Sequence, residues 1–255
     1  MKRTLTFAKR NIKEIGRDPL SYIFCVIFPI VMLVVMSVVN ESIPKGNGPT
    51  TFMIDNLAGG IIVFGHTFIM LFTAILVATD RSTSFLMRLF SSPMKGRDFT
   101  NGYIIPMLLI AVAQSVLAVA SSIVIAQITG STLKPLGLLF VILTQIPSSL
   151  MFISIGLIFG SLFNEKAAPG VCSVIISLGS FLGGIFFDAE GVGGVIYKIC
   201  KFMPFIYCTN LTRSSIKLDI SWDVFGKSLV IVSACAVFFA VLATLTFKHN
   251  MKTDK

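Results

Sequence analysis

Charge is what this chain has least of. Only 13% of its 255 residues are Asp, Glu, Lys or Arg, about half the share found in soluble domains. A water-soluble globule of this size would be short of polar surface. With 55% hydrophobic residues and a mean hydropathy of +0.88, the chain reads as an all-α integral membrane protein whose main solvent is lipid. Histidine is scarce too. Two residues cannot build an H-E-x-x-H zinc site or an imidazole-rich metal cluster. Five cysteines include no C-x-x-C pair, which removes zinc ribbons and dithiol redox motifs. Cys25, Cys172 and Cys235 fall inside apolar runs as small core residues. Cys200 and Cys208, eight apart, are able to bridge if their loop lies outside the cell, but two unpaired thiols is the simpler reading. Gly226-Lys227-Ser228 resembles the end of a phosphate-binding loop. Position 221, however, is Ser where the first Gly belongs, and the motif opens an apolar run instead of following a strand. The chain therefore cannot bind and hydrolyse ATP through that motif. No cluster of acids or histidines near an apolar boundary points to a membrane-embedded enzyme.

The bases that are present give a net charge of +9. They sit in short blocks at the ends of apolar runs, as membrane flanks do. No stretch pairs a basic groove with stacking aromatics, so nucleic acid is not an expected partner. Apolar runs long enough for about 30 Å of hydrocarbon predict six spans, at 20–39, 56–79, 103–129, 136–163, 167–187 and 225–247, in one transmembrane domain covering 1–255. Pro29 and Pro147 predict bends in the first and fourth spans, and Pro169 sits harmlessly in the first turn of the fifth. The first 19 residues lack the pattern of a secretory signal. On a helical wheel Leu5, Ala8, Ile12 and Ile15 form a narrow stripe opposite Lys2, Arg3, Lys9, Arg10, Lys13 and Arg17. That pattern predicts an amphipathic helix lying in the headgroup region, ended by Asp18-Pro19. Between 188 and 226 the chain is too apolar to float in water, and its amphipathic part, Val195 to Tyr207, is broken at Pro204. It reads as a re-entrant last outer loop.

Lys and Arg counts favour both termini in the cytoplasm. The inner segments, taken as 1–19, 80–101, 130–135 and 248–255, hold fourteen bases. The outer segments, taken as 40–55, 164–166 and 188–227, hold seven.

One polar stretch stands out. Asp80 to Asp98 mixes Arg81, Arg88, Lys95 and Arg97 with the apolar Phe85, Leu86, Leu89 and Phe90. It looks built to form a small helix and to be touched by a partner, since apolar side chains at a cytoplasmic surface mark an interaction site. Its alternative is burial of Phe85 and Leu89 at the lipid boundary. His66 is the ionisable side chain placed well inside a span. It is a candidate pathway residue, or else a neutral imidazole bonded to a neighbouring helix. Gly156-x-x-x-Gly160 and Gly179-x-x-x-Gly183 allow close helix approach, with packing inside the chain as the plainer use. Asp188 and Glu190 make a poor cation site without further oxygen ligands.

Three segments carry a resemblance to the permease subunits of type-2 ABC exporters. Arg10 to Val35 (RNIKEIGRDPLSYIFCVIFPIVMLVV) is similar to the family's opening, a basic helix meeting Arg-Asp-Pro before a span with Phe-Pro. Asp80 to Tyr103 (DRSTSFLMRLFSSPMKGRDFTNGY) resembles its cytoplasmic signature. Phe202 to Ile216 (FMPFIYCTNLTRSSI) resembles its Pro-containing segment before the last span. The likeness covers essentially the whole chain. One departure is Asp80-Arg81-Ser82-Thr83-Ser84 where Glu-Arg-x-x-Gly is common, a variation also met in exporters of drugs and peptide antibiotics. The resemblance implies six spans with an N-terminal interfacial helix and a cytoplasmic coupling helix. It implies no ATPase site and no cofactor in this chain, with ATP and Mg on a separate cytoplasmic ABC ATPase. It also implies a second copy of this or a related permease, and a bacterial cell membrane. Arg81, Phe85, Leu86, Arg88 and Leu89, with Arg10 and Lys13 of the first helix, become the ATPase-coupling candidates. The cargo would be an amphipathic drug, a peptide antibiotic or a lipid-linked molecule. An ATP-independent carrier or channel, or a non-transporting membrane scaffold, is the alternative.

Overall fold

The computed structural model describes residues 2–43, 50–83, 85–86, 94–187, 191 and 193–253. Regular structure among them is helical throughout. In chain order the helices are α1 (Lys2–Ile15), α2 (Pro19–Ser42), α3 (Ile54–Ser82), α4 (Gly96–Thr129), α5 (Pro135–Leu162), α6 (Ala168–Leu182), α7 (Gly194–Phe202), α8 (Pro204–Lys217) and α9 (Trp222–Asn250). Among the described residues α2, α3, α4, α5 and α9 are long and apolar enough to cross a membrane, and α6 is a shorter apolar helix. The predicted fifth span ends early. Gly183 follows α6, and Gly184 takes a left-handed backbone (φ 63°) that turns the chain away, a conformation glycine adopts without steric cost.

The bundle is built around α3, which is sheathed by neighbours along most of its length while α2 and α9 are mostly exposed. Its tightest neighbour is α5, and glycine makes the approach possible. A Cβ at Gly156 would lie 2.4 Å from the Met70 carbonyl oxygen, and one at Gly160 would lie 2.5 Å from that of Ala74. This first small-residue pair therefore serves packing within the chain. The second makes no such close approach to another helix of the chain. Gly179 has only ordinary contacts at 3.8 Å, with Phe205 and Thr67, and Gly183 lies beyond the end of α6.

Both predicted bends are present, each where a proline denies a backbone donor. Before Pro29, α2 widens into a π-helical turn over Ile23–Ile27. The extra residue relieves the clash between the proline ring and the carbonyl of Cys25, four residues back. Before Pro147, α5 breaks at Gln145. Pro106 behaves differently and lies inside a continuous α4. That helix begins at Gly96 and not near 103, because Asp98 caps it: its Oδ2 accepts from the Lys95 N–H at 2.9 Å and its Oδ1 from Thr4 Oγ1 at 3.0 Å.

Two inter-helix connections lie on the opposite sides from those assumed in the charge count. The turn before α5 meets the far end of α8, where Lys134 Nζ donates to the Lys217 carbonyl at 2.8 Å. The connection between α5 and α6 meets the end of α3, where Ser82 Oγ donates to Glu165 Oε2 at 3.0 Å. Alternation of the spans requires the same arrangement. The totals stand, since each connection carries one base, Lys134 or Lys166.

The last loop forms two short helices broken before Pro204, as expected. Only α7 is superficial, exposing Val195, Ile196, Ile199 and Phe202. Helix α8 is inserted, burying Phe205, Cys208 and Leu211. Cys200 and Cys208 are both buried and both free thiols.

Substituting Gly160 by Val should lower the thermal unfolding midpoint in detergent, because a backbone carbonyl cannot yield to the new side chain. A cost of about 1–3 kcal/mol is expected for such overpacking. Gly170→Ala, where nothing lies within 4 Å of the new Cβ, should not lower it. Equal midpoints for the two variants would contradict the packing described.

Candidate functional site

The end of α3 carries a carboxylate, Asp80, that is only 1% exposed. An ionised carboxylate there needs a cation and further donors. Arg10 of α1 supplies the cation in a two-pronged contact. Its Nη1 donates to Oδ2 at 2.7 Å and its Nη2 to Oδ1 at 2.8 Å. Tyr103 of α4 adds its hydroxyl to Oδ2 at 2.7 Å. The planar guanidinium matches the carboxylate fork, and its face lies 4.2 Å from the centre of the Phe85 ring. Three segments distant in sequence thus close on one carboxylate.

Glu14 also approaches Arg10, at 2.6 Å. Burial, and then the charge of Asp80, push its carboxyl above the ordinary range, against the pull of Arg10. Burial works against the charge of Arg10 as well, but its bonds to Asp80 outweigh that and hold the guanidinium charged more firmly than in water. Asp80 is therefore the principal partner and Glu14 the secondary one.

Beneath the ion pair sits an aromatic box. Phe7 meets Tyr103 and Phe99 edge-on, with ring centres 4.9 and 5.9 Å away, and stacks with Phe85 at 6.4 Å. Phe247 of α9 stacks on Tyr103 at 5.9 Å. The box depends on Gly102, where a Cβ would lie 2.3 Å from a Phe7 ring carbon. Asn11 donates to the Gly102 carbonyl at 3.0 Å beside it. Helix α1 is thereby fastened to α3, α4 and α9.

This attachment changes the predicted face of α1. Thr4, Phe7, Ala8, Asn11 and Ile15 are buried, while Leu5 and Ile12 are 57% and 44% exposed. The helix is turned toward α4 because Phe7 and Asn11 find partners there. The stripe seen on the wheel survives only as an outer edge.

The coupling candidates divide accordingly. Arg10 points inward to Asp80. Arg81 also points inward, its Nη1 donating to the Ser161 carbonyl, which accepts from Asn250 Nδ2 at 3.0 Å as well. It closes the ends of α3, α5 and α9 and does not rim an open face. Leu86 is 1% exposed and Phe85 half-buried, so the expected apolar contact face is used inside the chain. Lys13 is exposed. Arg88 and Leu89 lie outside the described residues, as do Asp188 and Glu190. His66 is fully buried and reaches no surface of the chain. The ring of Phe152 is 6.4 Å away, and Gln145, at the break in α5, is its polar neighbour.

Several residues of the site were not singled out from the sequence: Phe7, Asn11, Gly102, Tyr103 and Asn250. At the opposite end of α3, Arg213 of α8 donates from Nε to the Asn56 carbonyl at 3.0 Å and from Nη2 to the Gly184 carbonyl at 2.9 Å. In the charge count it was merely a loop base. Its place in a short helix beside small and apolar residues is the signal that was available. Among the described residues no group of three or more His, Cys, Asp or Glu side chains is placed to hold a metal ion. The arrangement is suited to mechanical linkage.

A family model described as "ABC-2 type transporter" matches residues 2–217. No curated protein matches the chain.

Replacing Arg10 by Leu should destabilise the protein by about 3 kcal/mol, the cost of leaving a buried charge without its partner. Adding Asp80→Leu should recover much of that loss, since the orphaned charge is then gone. A double-mutant cycle on thermal unfolding reads this directly. Additive losses would mean that the two residues act separately.

Proposed function

The chain belongs to the ABC-2 type transporter family and is an ABC transporter permease; from that premise we propose that it is the membrane subunit of an ATP-driven exporter, powered by a separate cytoplasmic ABC ATPase. The observation that carries this reading is the linkage of Arg10, Asp80 and Tyr103. It joins the interfacial helix, the end of α3 and the start of α4, so a displacement of the connection between α3 and α4 is passed to all three as one body. Bistable, rigidly packed elements of this kind turn small shifts into domain movements. The fourteen bases against seven support a cytoplasmic location for this end and for both termini.

Within this reading ATP and Mg belong to the partner, and two permeases, identical or related, make the working unit. Helix α6 offers a face for the second permease, with Val174, Leu178 and Phe181 exposed alongside Gly170, Ser173 and Ser177. By the family's architecture the first, second and fifth spans would be the ones to line the pathway. Helix α3 is too enclosed to line it, which leaves α2 and α6. Few charges face the membrane interior, which supports an amphipathic cargo such as a drug, a peptide antibiotic or a lipid-linked molecule. Direct contact with the ATPase falls to Arg88 and Leu89, with Phe85 and Leu86 anchoring the segment that carries them.

Co-expression with an ABC ATPase encoded beside this chain should yield a complex that survives purification, with ATP-dependent efflux in vesicles. Leu89→Asp, in a chain that keeps its unfolding midpoint, should reduce that efflux at least tenfold. ATP-independent flux without any bound ATPase would support the carrier or channel alternative. No flux at all with intact folding would support the scaffold.

A further inference from the structure

The outward side of α1 has a composition that the clasp does not use. Lys9, Lys13 and Arg17 are exposed and form no ion pair among the described residues. Together with Thr6, Arg10 and Glu14 they line an open groove of about 530 Å³. We propose that this groove binds the phosphate head group of an anionic phospholipid, held by Lys9, Lys13 and Arg17.

Depth is the first argument. Arg17 stands two residues before Pro19, which opens the membrane-crossing α2. Two residues reach no further than about 7 Å, so this base sits at headgroup level. Lys13 is one helical turn behind it, in the last turn of α1. The second argument is the order of residues around α1. The exposed apolar edge, Leu5 and Ile12, lies next to Lys9 and Lys13 on the wheel, on the side away from Phe7 and Asn11. Acyl chains on the edge and phosphate on the neighbouring bases is how an amphipathic helix meets a lipid surface.

Glu14 is the one acid in the groove. Burial and the neighbouring Asp80 raise its carboxyl above the usual range, which weakens its opposition to an arriving anion. Arg10 is committed to Asp80 and positions the helix instead of supplying the anion site. A lipid seated here would press α1 against α4 and so support the clasp. This goes beyond the transport reading, takes Lys13 away from the ATPase, and is measured without any ATPase present.

The test uses the full chain, purified in neutral detergent and titrated with phosphatidylglycerol, phosphatidylcholine or inorganic phosphate. Native mass spectrometry reads bound lipid, and thermal unfolding reads the clasp. Phosphatidylglycerol should be retained and should raise the midpoint, less so at high salt. Phosphatidylcholine and free phosphate should do neither. The combined variant Lys9→Gln, Lys13→Gln, Arg17→Gln should lose phosphatidylglycerol at least tenfold, given about 1 kcal/mol per base near an anionic surface. Its midpoint in neutral detergent should be unchanged. Glu14→Gln should bind the lipid more tightly. Equal retention of the two lipids, or full replacement by free phosphate, would overturn the proposal. So would a combined variant that keeps the lipid.

Discussion

A carboxylate shut away from water at the end of a membrane helix has to be met by a cation from elsewhere in the fold. Asp80 is that carboxylate, and the cation comes from a helix that precedes every span. The pair organises its surroundings in both directions. It draws α1 onto the bundle, which turns Phe7 inward and requires a glycine at 102. It also holds Tyr103, in the second turn of an α4 that the Asp98 cap starts at Gly96. Asp98 and Thr4 then close the same joint a turn away. The aromatic box and the cap follow from one electrostatic need. Removal of either charged member leaves a group that the low-dielectric surroundings cannot tolerate.

The architecture was legible in the sequence to the extent that it is one-dimensional. Apolar run length and proline position are properties of consecutive residues, and the spans and the bends at Pro29 and Pro147 came from them directly. The burial pattern was not legible to the same degree. The wheel marked Leu5 and Ile12 as the apolar edge, which they are, but it did not show that Phe7 and Asn11 would be buried against Gly102 and its neighbours. Asp80, Arg81, Phe85 and Leu86 drew attention as an unusual polar stretch. Their partners lie about 70 residues upstream in Arg10 and across the bundle in Ser161, and no local pattern announces such pairing. Arg81 and Leu86 turn inward and Phe85 is half-buried, where they were expected to form the rim and face of a contact surface. A re-entrant last loop was expected, but not how deeply α8 is buried against the bundle. It is too short to count as a span, and it is buried by tertiary contact alone.

Enclosure varies sharply between the helices, and that sets where motion is permitted. Helix α3 is held against α5 by contact of Cβ-free glycines with backbone carbonyls, a surface with no compliant atoms. Helix α2 is little buried over its hydrophobic window, whereas α9, though exposed on its outer side, packs along α5. Helix α2 also contains a π-helical turn, a local irregularity at which a helix can change direction. Rearrangement within the permease is therefore cheaper at α2 than between α3 and α5.

Arg10 and Arg213 hold α3 from its two ends, through Asp80 and through the Asn56 carbonyl. At 1.5 Å per residue these anchor points are about 36 Å apart, a little more than the roughly 30 Å of a hydrocarbon layer. Each guanidinium can therefore remain at the polar boundary while the helix between them crosses the apolar core. The separation is matched to a layer of about that thickness. A thinner or thicker membrane would draw one of the two cations out of its boundary, so the lipid composition of the host membrane bears on this protein through the length of a single helix.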